Sequence, residues 1–456
     1  MKVLFAASEC RPFAVSGGLA DVTGSLPYEL NGLGVEVAVA LPMYANIIKE
    51  YLPKSTLVKD AEVFLDWRRQ NCQLYLYSLK GVNFYFLRCD RYFDRDNFYG
   101  YGDDIERFAF FSKAVSQLLA HEYDIVHCHD WQTALITAYL KGKIKTLFTI
   151  HNIDYQGKFN KEHIRDLTGL SQNRYQCIFE WQDAANLLKG AVVCCNKLST
   201  VSPSYAREIQ RAEFGSGLQD IISQNAFKLS GILNGIDYTL YNPENDKDIA
   251  QNYSWQDLEG KKKCKEHLRR RLNLEGDGKP LFAVVSRLAH HKGLNLVAAA
   301  LPFLANNDAQ LVLLGRGDKA LEDFFVSAAK DNKNISANIA FDNKLAKEIY
   351  SAADFFLMPS LSEPCGLSQM IACRYGALPV VRGVGGLFDS IRDGLSGIVF
   401  YDFAQNAFEG ALNRAFDLYK SQDFALAQSR AMRADFSWKN SALSYIALYQ
   451  ELLEKQ

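Results

Sequence analysis

The chain opens with a pattern that leaves few possible folds. A short apolar run at residues 2–7 leads into a glycine-containing turn at 16–21, a helical pattern to Gly34, and a second apolar run at 35–42. Each apolar run has the length of a buried strand, and the helix between them is the crossover that parallel strands require. The opening is therefore a β-α-β unit, which predicts a parallel, doubly wound sheet.

The second half of the chain repeats this order of elements. Its apolar runs, each followed by a polar or glycine-containing turn, are 280–287, 310–315, 354–358 and 378–382. A polar, irregular segment at 241–255 indicates a domain boundary. We predict an α/β protein with two Rossmann-like, doubly wound domains, 1–240 and 241–436, which face each other across a deep cleft. Residues 437–456 are predicted to form a C-terminal helix that packs back on the first domain.

Composition and charge exclude several functions. The 456 residues carry a formal net charge of −1, so no overall field attracts the chain to nucleic acid or to a membrane surface. The hydrophobic fraction of 48% is typical of a globular protein, but no apolar run is long enough to span a bilayer. Residues 8–12 also interrupt the first apolar run too early for a signal peptide.

The cysteines indicate a reducing environment. There are ten, none in a Cys-x-x-Cys pair, and most lie within apolar runs, as Cys194 and Cys195 do. This pattern is typical of buried free thiols and not of a disulfide framework. We expect a cytoplasmic protein, or one inside an organelle, without a structural metal.

One acid stands in a polar turn of the second half. The apolar run 354–358 leads into the turn, and a helical pattern begins at Ser368. The turn follows the carboxyl end of a predicted strand, where ligands bind in open α/β sheets, and the helix start offers unpaired N–H groups that suit a phosphate. Glu363 is therefore either an acid beside an anion site or a helix cap, and the stretch alone leaves both open.

Two cations follow the predicted strand 280–287. Arg287 offers paired planar donors and Lys292 a point charge, which together match a diphosphate. Such a pair can stabilise a leaving nucleotide diphosphate as its charge develops. Surface salt bridges are the alternative.

A second candidate ligand contact is the loop with Gly17 and Gly18, which lets a ligand approach the backbone at a helix start. The third glycine of the dinucleotide-binding fingerprint is missing, so a dinucleotide is disfavoured. A simple tight turn is the alternative.

Two neighbouring predicted strands end in histidine and aspartate. His127 and His129 share one face of a strand, but a zinc site needs three or four ligands and no third one is evident, so we predict no metal. Asp130 is expected in the crevice at the strand ends, with a buried ion pair as the alternative. His151 ends the next strand and is expected in the same crevice, with a satisfied core histidine as the alternative.

Two further clusters have ambiguous roles. Aromatic residues between positions 92 and 101 alternate with acids, which suits sugar rings and equally suits plain packing. The basic cluster at 261–271 includes leucines at helical spacing and predicts the solvated face of a helix. A patch for nucleic acid or another anionic polymer is the alternative for that cluster.

Taken together, the motifs resemble one family, the bacterial glycogen synthases and plant starch synthases with the GT-B fold. The order and joint presence of the motifs carry the resemblance over nearly the whole chain. The matching motifs are 17–22 (GGLADV), 93–95 (FDR), 127–131 (HCHDW), 151–157 (HNIDYQG), 200–203 (TVSP), 233–237 (LNGID), 286–288 (SRL), 292–293 (KG), 363–367 (EPCGL) and 385–387 (GGL).

The resemblance implies a retaining glucosyltransferase that moves glucose from ADP-glucose to the non-reducing end of an α-1,4-glucan such as glycogen or a maltooligosaccharide. It implies no metal or other cofactor, no nucleic acid partner and no membrane partner. It also implies a cytoplasmic location, or the plastid stroma if the source is a plant. Two routes stay open: same-face attack within an ion pair, and a covalent intermediate on Glu363.

The resemblance also assigns roles to matching positions. The implied catalytic residues are Glu363, His151, Arg287, Lys292 and Asp130. The implied donor-binding residues are Gly17, Gly18, Asp21, Asn234, Phe341, Gly366, Leu367, Gly385 and Gly386. The implied acceptor-binding residues are Tyr92, Asp94 and Tyr99. In this scheme the glycines at 385 and 386 present backbone N–H groups, and the phenylalanine at 341 replaces a tyrosine that stacks on adenine.

Two positions depart from the family pattern. Val15 stands where the family usually has a lysine, and Val384 stands where it usually has a threonine. These departures motivate a rival hypothesis, a non-catalytic paralogue that binds glucan or regulates a true synthase. A phosphorylase is a third possibility, but its pyridoxal-phosphate lysine motif is not found.

Overall fold

A nine-stranded sheet forms the first part of the protein in the computed structural model, which describes residues 1–454. The strands of this part, in chain order, are β1 (Lys2–Ala6), β2 (Glu36–Pro42), β3 (Thr56–Leu65), β4 (Arg68–Leu79), β5 (Val82–Arg88), β6 (Ile125–His129), β7 (Lys145–Ile150), β8 (Lys158–Phe159), β9 (Glu180–Trp181), β10 (Ala184–Asn186), β11 (Lys197–Thr200) and β12 (Leu229–Gly231). Strands β8, β10 and β9 form a separate small antiparallel sheet.

The order of the large sheet is β12-β11-β7-β6-β1-β2-β5-β4-β3. All neighbours from β12 to β5 are parallel, and β3 and β4 add an antiparallel hairpin at one edge. The chain builds outward from β1 in one direction through β2 and in the other through β6, so the strand order reverses between β1 and β6. Ligands of doubly wound sheets bind at such a switch point, beyond the carboxyl ends of the strands.

Helices cover this sheet because its central strands are apolar on both faces. In β1, the residues from Val3 to Ala6 are fully buried, as parallel strands between two helical layers are expected to be. The helices are α1 (Gly18–Gly32), α2 (Ala45–Tyr51), α3 (Asp90–Phe93), α4 (Asp104–Leu118), α5 (Ala134–Tyr139), α6 (Ile164–Thr168), α7 (Gln172–Phe179), α8 (Leu187–Cys194), α9 (Pro203–Glu208) and α10 (Gln219–Gln224). Short 3₁₀ turns lie at Leu52–Lys54, Ala120–Glu122, Trp131–Thr133, Lys161–His163 and Ala226–Lys228.

The second unit, Gly235–Ser437, contains a six-stranded parallel sheet. Its strands are β13 (Leu281–Val285), β14 (Gln310–Leu314), β15 (Ile335–Asn338), β16 (Phe355–Met358), β17 (Leu378–Arg382) and β18 (Ile398–Phe400). Their order, β15-β14-β13-β16-β17-β18, is the 3-2-1-4-5-6 order of nucleotide-binding doubly wound domains. The switch point of this unit therefore lies between β13 and β16.

The helices of the second unit surround its sheet. They are α11 (Glu259–Arg271), α12 (Leu294–Ala299), α13 (Leu301–Asn306), α14 (Lys319–Asp331), α15 (Asn343–Ala352), α16 (Ser368–Arg374), α17 (Gly385–Ser390), α18 (Gln405–Lys420) and α19 (Phe424–Met432), with a 3₁₀ turn at His290–Lys292. The prediction of two doubly wound α/β folds is confirmed. Among the described residues, no helix combines the length and the apolarity needed to cross a membrane.

The last helix, α20 (Trp438–Glu454), belongs to the first unit, together with Met1–Asn234. Its Tyr449 is fully buried, with the hydroxyl 2.8 Å from His127 Nδ1. The first segment of this unit ends at Asn234, six residues before the predicted boundary after residue 240. Ile236 already belongs to the second unit, because its N–H donates to the carbonyl of Phe436 at 2.8 Å.

The basic cluster on α11 is only partly a solvated face. Lys262, Lys263 and Arg270 are exposed, but Lys261 and Arg269 are buried, so the prediction is wrong for these two residues. The Nζ of Lys261 donates to backbone carbonyls, and burial lowers its pKa to about 7. The long aliphatic stems of these residues let helix packing cover them while the donors find carbonyl partners.

Two adjacent leucines test how α20 contributes to stability. Leu452 is 3% exposed and Leu453 is 39% exposed. We expect Leu452→Ala to lower the free energy of unfolding by about 2–5 kcal/mol, and Leu453→Ala by less than about 1 kcal/mol, because only the first leaves a cavity. Urea unfolding followed by circular dichroism measures both. Equal losses for the two variants would contradict this placement of the helix.

Candidate active site

The loop after β1 is organised by a carboxylate that the sequence did not single out. Glu9 is 5% exposed, and its carboxylate accepts the N–H groups of Ser16 at 2.7 Å and Gly17 at 2.9 Å. It also accepts the hydroxyl of Tyr99 at 2.7 Å. The only sequence signal was an acid two residues after the predicted strand 2–7. Because these donors satisfy the Glu9 carboxylate, the fold does not need a lysine at Val15 to hold this loop.

Nothing within the protein requires glycine at positions 17 and 18 of this loop. Gly17 has an extended backbone, and a Cβ added at Gly17 or Gly18 would meet no atom within 4 Å. Neither backbone conformation nor internal packing therefore explains them, which favours close approach by a ligand. The N–H of Gly17 is already bonded to Glu9, and Asp21 is paired with Arg11 at 2.8 Å.

The turn after β6 holds Asp130 in a strained backbone conformation. Its φ of 57° with ψ of 179° is rarely adopted by a residue with a side chain, and such strain costs roughly 1–3 kcal/mol. The Asp130 N–H donates to the carbonyl of Thr149 at 3.0 Å, and its Oδ1 accepts the N–H of His151 at 2.7 Å. Burial raises the pKa of Asp130 to about 7, although hydrogen bonds to the carboxyl from the N–H groups of His151 and Asn152 partly oppose the shift.

Asp130 thereby fixes the backbone of the neighbouring strand end, where His151 lies partly exposed. The ring of His151 lies with its Nε2 3.0 Å from Nδ1 of His129, which is fully buried. Burial lowers the pKa of His151 to about 3, so its imidazole is neutral near pH 7. The structure brings Asp130 and His151 together, as predicted for adjacent strand ends.

A cavity of about 490 Å³ lies beside these turns in the first unit. It combines aromatic rings with carboxylates and one lysine. Its lining is Tyr101, Gly102, Asp104, Ile105, Trp131, Asp154, Tyr155, Gln156, Gly157 and Lys158. Tyr155 is 50% exposed, so its ring face is accessible. Trp131 and Asp154 lie within the motifs 127–131 and 151–157, but only the folded turns show that they line one cavity.

The residues expected to bind an acceptor are not found as a group on an accessible surface. Tyr92 is 1% exposed, and its hydroxyl lies against Glu106, so packing and not sugar stacking accounts for it; its prediction is wrong. Tyr99 is half-buried, with its hydroxyl bonded to Ser8 and Glu9. Asp94 is exposed. The local pattern of aromatics and acids does not reveal which rings the helices cover.

A buried ion pair occupies the switch point of the second unit. The Nζ of Lys292 lies 2.9 and 2.7 Å from the two carboxylate oxygens of Glu363, and the side chains are 20% and 6% exposed. The hydroxyl of Ser360 donates to the same carboxylate at 3.2 Å. Glu363 is therefore paired with a cation and is not a helix cap, since α16 begins five residues later.

Close backbone packing holds the two partners together. Gly293 has φ of 69°, and a Cβ there would lie 1.8 Å from the carbonyl oxygen of Pro359, so only glycine lets the loops meet this closely. The N–H of Leu361 donates to the carbonyl of His291 at 2.8 Å and ties the same loops. The loop after β13 and the loop after β16 thus form one unit around the ion pair.

The other predicted residues of the second unit flank this pair along the chain. Arg287 is exposed, two residues beyond the end of β13. Phe341 is 79% exposed and follows β15. Gly366 has φ of 72°, and Leu367 immediately precedes α16. These positions leave the side chains of Arg287 and Phe341 accessible to a ligand at the carboxyl edge of the sheet.

The glycine turn before α17 differs from expectation. The N–H of Gly386 donates to the carbonyl of Glu363 at 3.1 Å, so the prediction that this N–H is presented to a ligand is wrong. The glycine instead permits close approach, because a Cβ there would lie 2.2 Å from the carbonyl of Cys365. Gly385 opens the helix, and Val384 is its N-cap residue, 2% exposed and without a side-chain cap. A threonine at position 384 would supply a helix cap.

Two further observations concern buried polar atoms and cysteines. Asn234 is 6% exposed, and its Oδ1 has no hydrogen-bond partner among residues 1–454. In the same described part of the chain, no group of three or more His, Cys, Asp or Glu side chains is arranged to hold a metal. All ten cysteines are free, and only Cys177 is exposed.

Two doubly wound units with charged and glycine-rich turns at their switch points are typical of glycosyltransferases of the GT-B class. The fold of sucrose-phosphate synthase from Thermosynechococcus elongatus is similar, with a TM-score of 0.62, 18% identity and complete coverage of both chains. Residues 266–430 match the family described as glycosyl transferases group 1. The protein is a glycosyltransferase of this class.

More specific relatives place the chain within that class. Residues 2–224 match the family described as starch synthase catalytic domain. The glycogen synthases of Alkaliphilus metalliredigens and Lactococcus lactis are 44% and 43% identical, each over 99% of this chain and 100% of the relative. The catalytic domain of Arabidopsis thaliana starch synthase IV, bound to ADP and acarbose, matches with a TM-score of 0.92 and 32% identity over 99% of both chains. The chain belongs to the glycogen and starch synthase family, which confirms the resemblance found in the sequence.

The raised pKa of Asp130 gives a pH-dependent stability. Its ordinary value of 3.8 applies in the unfolded chain, so folding favours the neutral carboxyl, and this contribution is lost as the pH rises from about 4 to about 7. We expect Asp130→Asn to be more stable than the parent by a margin that widens to about 4 kcal/mol by pH 7 and then stays constant.

Urea unfolding of both proteins at several pH values between 4 and 8 measures this margin. The exposed Asp94→Asn variant controls for the loss of one carboxylate. A margin for Asp130→Asn that does not change with pH would contradict the buried environment assigned to this carboxyl.

Proposed function

We propose that this glycosyltransferase elongates an α-1,4-glucan, transferring glucose from ADP-glucose to the non-reducing end with retention of configuration. The single observation that carries the proposal is the Lys292–Glu363 ion pair at the switch point of the second unit, with Arg287 at the same sheet edge. Membership of the family gives the substrate class, and this arrangement supplies the charges that the reaction needs.

The second unit holds the donor in this proposal. Arg287 and Lys292 bind the diphosphate, and the exposed ring of Phe341 stacks on the adenine. The ADP in the Arabidopsis relative supports an adenine nucleotide. Because the two cations are positioned before the reaction, they stabilise the negative charge that develops on ADP as the glycosidic bond breaks.

The ion pair also bears on the reaction route. Lys292 and Ser360 already donate to the carboxylate of Glu363, which weakens that carboxylate as a nucleophile. This favours same-face attack within an ion pair, in which the acceptor hydroxyl loses its proton to the departing phosphate. Glu363 then stabilises the positive charge on the sugar and holds Lys292 in place.

The first unit binds the acceptor and the transferred sugar in this proposal. The cavity with Trp131 and Tyr155 offers aromatic faces, with carboxylates that accept hydroxyl hydrogens. His151 donates a hydrogen bond to the glucose, and the buried Oδ1 of Asn234 accepts one from a sugar hydroxyl. Gly17 and Gly18 allow the donor to approach the backbone. The free thiols support a cytoplasmic location.

Incorporation of labelled glucose from ADP-glucose into glycogen tests the activity. We expect the parent to incorporate label, and Glu363→Gln and Arg287→Ala each to lose about 100-fold or more, because each removes a charge stabilising the transition state. The exposed α11 variants Glu266→Gln and Arg270→Ala are the matched controls and should keep parental rates.

UDP-glucose in place of ADP-glucose tests the nucleotide, and we expect slower incorporation. No incorporation from either donor, combined with tight glycogen binding, would contradict the proposal and favour a non-catalytic glucan-binding protein. Unchanged rates in Glu363→Gln would contradict the role of the ion pair.

A further inference from the structure

We propose that His129 is a positioning residue, which donates from its Nδ1–H to Nε2 of His151 and so holds the His151 ring with its proton on Nδ1, as a neutral donor to the sugar. The role in catalysis rests on the function proposed above. The hydrogen bond and the position of the proton are properties of the first unit alone.

The geometry leaves one proton to place between the two rings. His129 Nδ1 and His151 Nε2 lie 3.0 Å apart, a hydrogen-bond distance that requires a proton on one nitrogen and a lone pair on the other. Both rings are neutral near pH 7, because burial lowers both pKa values. Each ring therefore carries a single proton, and there are only two arrangements.

The far side of the His129 ring decides between them. Its Nε2 is buried and has no hydrogen-bond partner among residues 1–454. The rings of Phe5 and His127 pack against the His129 ring, with centroids 5.0 and 4.1 Å away. If His151 donated to His129, the proton of His129 would have to lie on this Nε2 as a buried donor without an acceptor. An orphaned buried N–H group is rarer and costlier than an unused lone pair. His129 must therefore carry its proton on Nδ1 and donate it to His151.

The neighbouring histidine, His127, differs because both of its ring nitrogens have hydrogen-bond partners. His127 is two residues earlier on the same strand face, and both of its nitrogens have partners, Tyr449 at 2.8 Å and Thr149 at 2.6 Å. Among residues 1–454, the ring of His129 is hydrogen-bonded through one nitrogen only, to the partly exposed His151. The one side-chain hydrogen bond of His129 is thus made to His151, the ring at the proposed site.

This arrangement determines what His151 can do. With Nε2 accepting from His129, its remaining nitrogen is Nδ1, which carries the proton. The ring can donate to a sugar oxygen, but it has no free lone pair with which to act as a base. His151 is therefore a hydrogen-bond donor and not a general acid–base group.

The test is the position of the protons on ¹⁵N-labelled histidine, read from long-range ¹H–¹⁵N correlation spectra, with His151→Asn to assign the signals. In the parent we expect His151 to be protonated on Nδ1 and bare on Nε2 from pH 6 to pH 8. His129→Leu removes the donor that fixes the His151 ring, so we expect both neutral forms of His151, with the proton on Nδ1 or on Nε2, to be populated. In His129→Asn the side-chain amide can donate from the place of Nδ1, so the proton should stay on Nδ1.

Transfer rates give the second readout. We expect kcat to fall about tenfold in His129→Leu and to stay within about twofold of the parent in His129→Asn. A parental His151 protonated on Nε2, or on both nitrogens, would overturn the proposal whether or not the variants fold. The expected proton positions without any glucose transfer by the parent would support the His129 assignment and contradict the proposed function.

Discussion

The loops after β13 and β16 in the second unit meet around one largely buried ion pair. Removing a carboxylate and an ammonium from water costs several kcal/mol each, and only close geometry with further hydrogen bonds offsets this. Lys292 meets both oxygens of Glu363, Ser360 donates to the same group, and the contact between Gly293 and Pro359 brings the loops together. Because the two partners follow β13 and β16, the neighbouring strands between which the strand order reverses, their placement follows from the sheet topology.

The first unit has the same kind of sheet, but the acids after its strands are not paired in the same way. Two of its acids at strand ends accept hydrogen bonds from neutral donors: Glu9 from backbone N–H groups and a tyrosine, and Asp130 from the backbone of His151. Val15 supplies no charge where the family usually has a lysine. In the function proposed here, positive charge for a leaving diphosphate comes chiefly from Arg287 and Lys292. This division explains why a valine at 15 is compatible with the function proposed here.

Much of the fold followed from the sequence, since alternating apolar runs and helices leave few topologies. The polar strand ends also predicted Asp130, His151, Lys292 and Glu363 as site residues, because parallel strands share one carboxyl edge. The role of Glu9 could not be predicted, since Tyr99, one of its donors, is 90 residues away in the chain. The prediction that Tyr92 binds an acceptor was wrong for a related reason. Whether a ring is buried depends on which helix covers it, and the neighbouring residues in the sequence do not reveal that.

The central claim is that Arg287 and Lys292 hold the leaving diphosphate, and calorimetric titration with ADP tests it most directly. The account predicts that the parent binds ADP, and that Arg287→Ala and Lys292→Met each weaken binding by about tenfold or more, one charge-assisted hydrogen bond being worth at least about 1.4 kcal/mol. The exposed Arg270→Ala variant should bind like the parent. Unchanged ADP affinity in both Arg287→Ala and Lys292→Met would contradict the account.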